Sequence, residues 1–529
     1  MFQNHPRGLI AAALSNMGER FGYYIMNAVL LLFLVSKFGI EDNHASIIYS
    51  VFYSGIYVLS LVGGLIADRT QNYNRTIQWG LIIMAIGYIG LAVPLFSKVD
   101  GRIVDAGTTW WMVLIFTCVA LLFIAFGNGL FKGNLQAIVG KMYDELEAKA
   151  ATEGEEALKI AKDKRDAGFQ IFYVFINVGG LIAPFVAPVL RQWWLKAHDF
   201  IYNAEMPKLC HQFLADGQVT TKFTETMDKA VLSSYTLTDY ATFSSDYIDV
   251  FNTGIHFSFF ASVAAMLISL IIFLTTKDRF PKPAAKGAVQ VVEYTQEERA
   301  AMAREIKQRL YALFAVLGVA AFFWFAFHQN SQSLSLFARD FVQTDAIPPE
   351  IWQALNPFFV IVLTPIIMMI FSSLARGGKI ISTPRKIAIG MGIVAIAYLF
   401  LTIFSIKSGY PSGVEFLELS DAQRAAQGMA KAAPWVLIVT YFFLTVAELF
   451  ISPLGLSFVS KVAPRNMVGL CQGLWLGATA VGNLLIFLGP VMYNAWPIWK
   501  CWAVFLAVCL VSMSVMLGMV KWLERVTNS

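Results

Sequence analysis

Twelve stretches of about 20 or more mostly apolar residues divide this chain, and they limit its fold more than any other feature. A helix rising 1.5 Å per residue needs roughly 20 apolar residues to cross the ~30 Å hydrocarbon core of a bilayer. The runs lie at 9–35, 46–67, 76–96, 110–139, 168–189 and 252–275, then at 310–335, 351–374, 387–406, 433–460, 468–491 and 497–523. Helices are required, because lipid offers a backbone no hydrogen-bond partner and the runs lack the alternation of a membrane barrel. Composition agrees: 57% of residues are apolar and 14% charged, against about 25% charged in soluble domains. Disordered, collagen-like, disulfide-scaffold and soluble-enzyme classes are thereby excluded. The first run holds Glu19 and Arg20 and no small-residue cleavage pattern follows it, so it reads as a span and not as a signal peptide.

Charge outside the runs sets orientation. With a cytoplasmic N-terminus, 25 of the 40 Lys and Arg residues fall on the inner side and 13 on the outer, five of those in the loop 190–251. Both termini are therefore expected in the cytoplasm, and the net charge of +5 reflects topology, with no nucleic-acid partner implied. The expected organisation is all-α and integral to the membrane. An N-terminal six-helix bundle (1–276) with a long exterior loop precedes a linker (277–309) and a C-terminal six-helix bundle (310–529). In the linker Met302, Ile306 and Leu310 recur every four residues and Glu305 pairs in register with Arg309, which predicts an amphipathic helix on the inner membrane surface or a solvated linker helix. Loops after runs 2 and 8 are faintly alike, from Leu65 to Gly80 and from Leu374 to Gly390, which favours two repeats with a site between them at mid-membrane. Of the five cysteines all but Cys210 lie in apolar runs, without metal-ligand spacing.

Ionisable groups inside spans are costly and point to function. Four stand out: Glu19 and Arg20 in span 1, Lys132 in span 4 and Glu448 in span 10, with His328 in span 7 a fifth, titratable candidate. Static ion pairs fixing helix packing are the competing reading, although buried pairs are poor devices for stability. Tyr23, Tyr24, Tyr57, Asn177, Asn356, Trp475 and Thr479 add polar and aromatic groups in other spans. Singly, each suits a helix–helix contact as well as a ligand.

Several segments resemble the proton-coupled oligopeptide transporter (POT/PTR) family of the major facilitator superfamily. They include Glu19-Arg20-Phe-Gly-Tyr23-Tyr24, the loop motif Gly63-Gly64-Leu-Ile-Ala-Asp68-Arg69, and Gly129-Leu-Phe-Lys132-Gly-Asn134. Further on lie Arg165 to Gly179, Phe323-Trp324 with His328-Gln329, Leu355-Asn356-Pro357, Glu448 to Ser457 and Trp475. The resemblance implies import of di- and tripeptides by proton symport with alternating access, in a monomer of the plasma membrane (the inner membrane of a Gram-negative cell). It implies the proton as coupling ion and no cofactor. It places Glu448 at the peptide's amino terminus, Lys132 and Arg20 near its carboxylate, Asn177 and Asn356 on its termini or backbone, and Tyr24, Tyr57 and Trp475 around its side chains, with Thr479 a further substrate-binding candidate. A zwitterion with variable side chains needs such a pair of separated charges and adaptable pockets.

Three departures matter. Asn16 replaces the first glutamate of the family motif, Asn27 replaces an arginine, and His328 replaces a glutamate that can pair with that arginine across the exterior gate. An Asn27–His328 hydrogen bond is expected to take the place of that ion pair. Glu19, Lys132 and His328 are the candidate proton-coupling groups, Glu19 first as a carboxylate in an apolar span and His328 second as an imidazole titrating near neutral pH. Alternatives are the same fold carrying another small zwitterion or anion, or peptide transport without protons. A membrane enzyme or sensor is disfavoured, since no metal cluster, GxSxG or phosphate-cradling loop is present in the sequence.

Overall fold

The computed structural model describes residues 5–70, 72–281, 296–344, 347–376, 381–462 and 468–528. Twelve helical segments are long and apolar enough to cross a membrane, and each overlaps one of the predicted runs. Spans 1 to 6 are Leu9–Phe38, Asp42–Ala67, Tyr73–Ala92, Thr108–Ala151, Ile171–Lys196 and Tyr240–Thr275. Spans 7 to 12 are Ile306–Asp340, Pro349–Phe371, Thr383–Lys407, Trp435–Ser452, Gly473–Ala495 and Ile498–Val526. Spans 1 to 6 pack among themselves, span 1 on 5 and 6, span 4 on 2 and 3. Spans 7 to 12 do likewise, span 9 on 10 and 12, span 7 on 11. The two halves meet chiefly along span 2 against span 11 and span 5 against span 8.

Glycine sets the closest approaches. A Cβ on Gly63 of span 2 would lie 2.2 Å from the Gly129 carbonyl oxygen of span 4, and one on Gly80 of span 3 would lie 2.7 Å from that of Gly127. Small residues at such crossings let membrane helices approach backbone to backbone. The Asn134 amide donates to the Gly63 carbonyl at 3.1 Å. Two of the motifs singled out in the sequence thus dock on one another, and that contact fixes the height of Asn128 and Lys132 on span 4.

Three spans are broken. Span 5 tightens into a 3-10 turn at Ala183–Phe185, span 7 does so at His328–Ser331, and the helix of span 11 ends at Leu485 and resumes at Leu488. Spans 5 and 11 occupy equivalent positions in the two halves, the arrangement expected where a transporter builds its site. The breaks in spans 7 and 11 satisfy each other: the Gln329 amide donates to the Ile486 carbonyl at 3.0 Å.

Because twelve spans alternate in direction, both chain ends share one face, the terminal face, and segments 197–239 and 408–434 share the other, the capped face. The interior insert 141–165 is no separate loop. The span 4 helix runs 44 residues to Ala151, about 66 Å at 1.5 Å per residue, and turns at Gly154 (φ 123°) into the span 5 helix starting at Glu155. In the linker, the expected helix around Met302–Leu310 is part of one continuous helix, Gln296–Phe327, that leads into span 7. The side chain of Glu305, and with it the Glu305–Arg309 pair, lies outside the described residues.

The capped face is folded. Helices Met206–Asp216 and Thr221–Ala230 belong to the first half, and Gly413–Glu418 and Asp421–Ala426 to the second. The last two open on capping boxes, Ser412 with Glu415 and Ser420 with Gln423. Glu205 joins the caps, bonding Lys222 of its own half at 3.0 Å and Lys431 and Arg424 of the other at 2.8 and 3.5 Å. Lys229 adds a bridge to Asp421.

Candidate substrate site between the halves

Span 1 carries Glu19 and Arg20 as an ion pair between neighbours, Arg20 Nε to Glu19 Oε2 at 2.5 Å and Arg20 Nη2 to Glu19 Oε1 at 2.7 Å. Asn128 of span 4 donates to the same carboxylate at 2.6 Å. Glu19 is fully buried, so these donors replace the water it lost. The pair is self-compensated.

Lys132 lies one turn beyond Asn128. Its ammonium sits 4.4 Å from the centroid of the Tyr57 ring, and among the described residues it has no carboxylate within 4 Å. Tyr57 ends a tyrosine ladder on span 2, with Tyr49–Tyr53 and Tyr53–Tyr57 centroids 5.6 and 5.9 Å apart.

Glu448 faces this wall from span 10. Its carboxylate accepts from the Asn356 amide of span 8 at 2.7 Å, and the same amide lies 3.1 Å from the Thr445 hydroxyl. It has no cation within 4 Å among the described residues. Gly180 of span 5 lets the walls close in: a Cβ there would lie 3.1 Å from the Tyr24 ring and 3.5 Å from Pro357. Of the four intramembrane charges singled out in the sequence, Glu19 and Arg20 pair with each other, which leaves Lys132 and Glu448 on opposite halves.

Other predicted site residues are engaged locally. Asn177 donates to the Tyr173 carbonyl at 3.0 Å and Thr479 to the Trp475 carbonyl at 3.3 Å, each within its own helix. Trp475 is buried with its ring in the space beside Gly455.

The expected Asn27–His328 bond is not formed; each side chain has other partners. Asn27 Oδ1 accepts from the hydroxyls of Tyr49 at 2.8 Å and Tyr23 at 3.2 Å. His328 pairs with the Asn483 side chain of span 11 and stacks on Trp324 with centroids 5.0 Å apart. Its ring also packs edge-on against Tyr53 of span 2, with centroids 5.0 Å apart.

Ion pairs between the halves close the capped face instead. Arg339, at the end of span 7, reaches Asp42, at the start of span 2, with 3.1 and 3.0 Å contacts, and holds Asp340 beside it at 2.6 Å. Arg191 of span 5 meets Glu350 of span 8 at 2.6 and 3.4 Å. Sequence reasoning singled out none of these residues. The missed signal was position: each acid or base stands within a few residues of an apolar run, where burial is a matter of a single turn.

Comparison with known proteins then decides the lineage. A profile of the POT family matches residues 74–293 and 285–497. The chain belongs to the POT family. Among POT relatives, dipeptide and tripeptide permease B of Salmonella typhimurium is 26% identical over 548 residues, covering 99% of this chain and 96% of its own. Peptide transporter YePEPT of Yersinia enterocolitica is 26% identical over 508 residues, covering 91% of this chain and 87% of its own. A crystal structure of peptide transporter POT in complex with sulfate superposes with a TM-score of 0.68 at 21% identity, across 99% of this chain and 96% of that one. As a POT family member with twelve apolar spans, the chain is a multi-pass membrane protein, placed in bacteria in the inner membrane.

Proposed function

We infer that this protein imports di- and tripeptides by alternating access. The observation that carries the reading is the separated pair of charges, Lys132 over the Tyr57 ring on one half and Glu448 bonded to Asn356 on the other. A peptide zwitterion supplies a carboxylate for the first and an ammonium for the second, and so draws the halves together around itself. Support also comes from the family and from the names of its permease relatives. Arg20 lies beside the Lys132 end, Asn356 aims Glu448, and Tyr24, Tyr57 and Trp475 shape the apolar surroundings. Asn177 and Thr479 join the site when their helices shift.

In this reading the capped face is exterior, both termini are cytoplasmic, and the described conformation is closed to the outside by Arg339–Asp42 and Arg191–Glu350. Protons drive uptake through Glu19, whose carboxylate must exchange Arg20 and Asn128 for a proton or a new cation when the halves move. No cofactor takes part, no chemical step is catalysed, and the working unit is one chain. Purified protein in liposomes tests this. Labelled Ala-Ala accumulates when an inward proton gradient is imposed. Equilibration without accumulation contradicts symport, and absence of any Ala-Ala signal contradicts peptide transport.

A further inference from the structure

Between the caps and the ion pairs beneath them lies a cavity of about 400 Å³, formed by both halves and lined by Arg191, Glu205, Lys208, Lys222, Arg339 and Glu350 among others. Its size falls in the range of small-molecule pockets, about 300–1,000 Å³. Nothing in the central site requires it.

Its floor is the Arg191–Glu350 pair. Both side chains are almost completely buried, and the guanidinium also lies 4.2 and 4.8 Å over the rings of Tyr202 and Phe251. The Arg191 Nε has no hydrogen-bond partner, a buried donor left unused. Arg191 belongs to the first half and Glu350 to the second, so opening the capped face separates them. Breaking a buried pair strands two charges away from water, which is strongly unfavourable unless each finds a new counterion. A neutral or singly charged solute satisfies one of them at most. A zwitterion in the cavity, touching both, satisfies the two together. Such a ligand binds the opened arrangement better than the closed one, as any ligand that shifts a conformational equilibrium must.

We propose that this cavity is an exterior reception site for zwitterionic peptides, in which the ligand's carboxylate takes Arg191 from Glu350, its ammonium takes Glu350 from Arg191, and the gate is released. The proposal rests on the transport reading above. It places a second recognition step, made of different residues, ahead of Lys132 and Glu448. A substrate is then checked for both termini before the capped face opens.

Spin labels at Val219→Cys and Trp496→Cys, exposed positions on the capped face of either half, report the opening in liposomes. Exterior Ala-Ala is expected to enlarge the long-distance population several-fold, and N-acetyl-Ala-Ala-amide to leave it unchanged. The same shift with Ala-Ala is expected in Glu448→Gln, whose central site is disabled. The double variant Arg191→Gln with Glu350→Gln is expected to show the long distance without ligand and no further change with it. A full Ala-Ala response in the double variant, or its loss in Glu448→Gln, overturns the reception site. If counterflow of Ala-Ala persists in that case, the transport reading stands alone; if unaltered protein carries no Ala-Ala, both fall.

Discussion

The Asn356 amide holds the Glu448 carboxylate at 2.7 Å, joining span 8 to span 10 through one neutral donor. A hydrogen bond to a charged group contributes about 1.5–3 kcal/mol, so Asn356→Leu is expected to weaken peptide uptake by roughly 10- to 100-fold in KM. Insertion into the membrane should be unaffected. Peptide uptake titrated in liposomes checks this, and an unchanged KM would remove Asn356 from the site.

Backbone contact between spans 2 and 4 gives a sharper packing test. Gly63→Ala places a Cβ 2.2 Å from the Gly129 carbonyl oxygen, whereas at neighbouring Gly64 a Cβ meets nothing within 4 Å. The first is expected to cost about 1–3 kcal/mol in overpacking and to lower the thermal midpoint in detergent. The second should leave it unchanged. Equal midpoints for the two variants would contradict the docking of these helices.

At the capped face the partners of Arg339 are unequal in number. Asp42→Asn leaves the guanidinium with Asp340, but Arg339→Gln leaves Asp42 and Asp340 both buried without it. Loss of one member of a buried pair costs about 3–5 kcal/mol, so Arg339→Gln is expected to be the more damaging in folded yield. Rescue by the triple change with Asp42→Asn and Asp340→Asn is expected as well. A more severe defect in Asp42→Asn than in Arg339→Gln would contradict the arrangement.

Cap closure should not respond to mild acid. Burial works against the charge on Glu205, but Lys431, Lys222 and Arg424 outweigh it and hold this carboxylate well below its usual range. A depressed carboxylate stabilises the closed form at every pH above its unfolded value near 4.3, and that contribution fades only as pH falls through the folded value. The distance between labels on the two caps is therefore expected to stay constant from pH 8 to 5. Opening between pH 7 and 5 would assign proton sensing to the caps.

Spans and central charges were legible because lipid imposes one rule on every residue. Glu19, Arg20, Lys132 and Glu448 stand out against apolar neighbours, and the proposed site is built on them. Pairing was less legible. Sequence shows that Lys132 and Glu448 are isolated along the chain, but not that Glu19 turns to its own neighbour and that these two have no ion pair among the described residues. Asn27 and His328 were matched because their family counterparts are, yet His328 pairs with Asn483 and Asn27 with Tyr23 and Tyr49. Arg191, Glu350, Asp42 and Arg339 were hidden by position, since at a span's end one turn separates a solvated charge from a buried one. The long insert 190–251 gave no sign that Glu205 would tie it to the opposite half.

The central claim is that Lys132 and Glu448 each hold one end of the peptide. It is tested most directly by measuring, in the Arg191→Gln, Glu350→Gln background that removes recognition at the capped face, the affinity of Lys132→Gln and Glu448→Gln for Ala-Ala blocked at one terminus or the other. Glu448→Gln is expected to abolish the preference for a free amine while retaining that for a free carboxylate, and Lys132→Gln to do the reverse. If either variant loses both preferences equally, or neither, the two charges do not divide the termini between them and the account of the site is wrong.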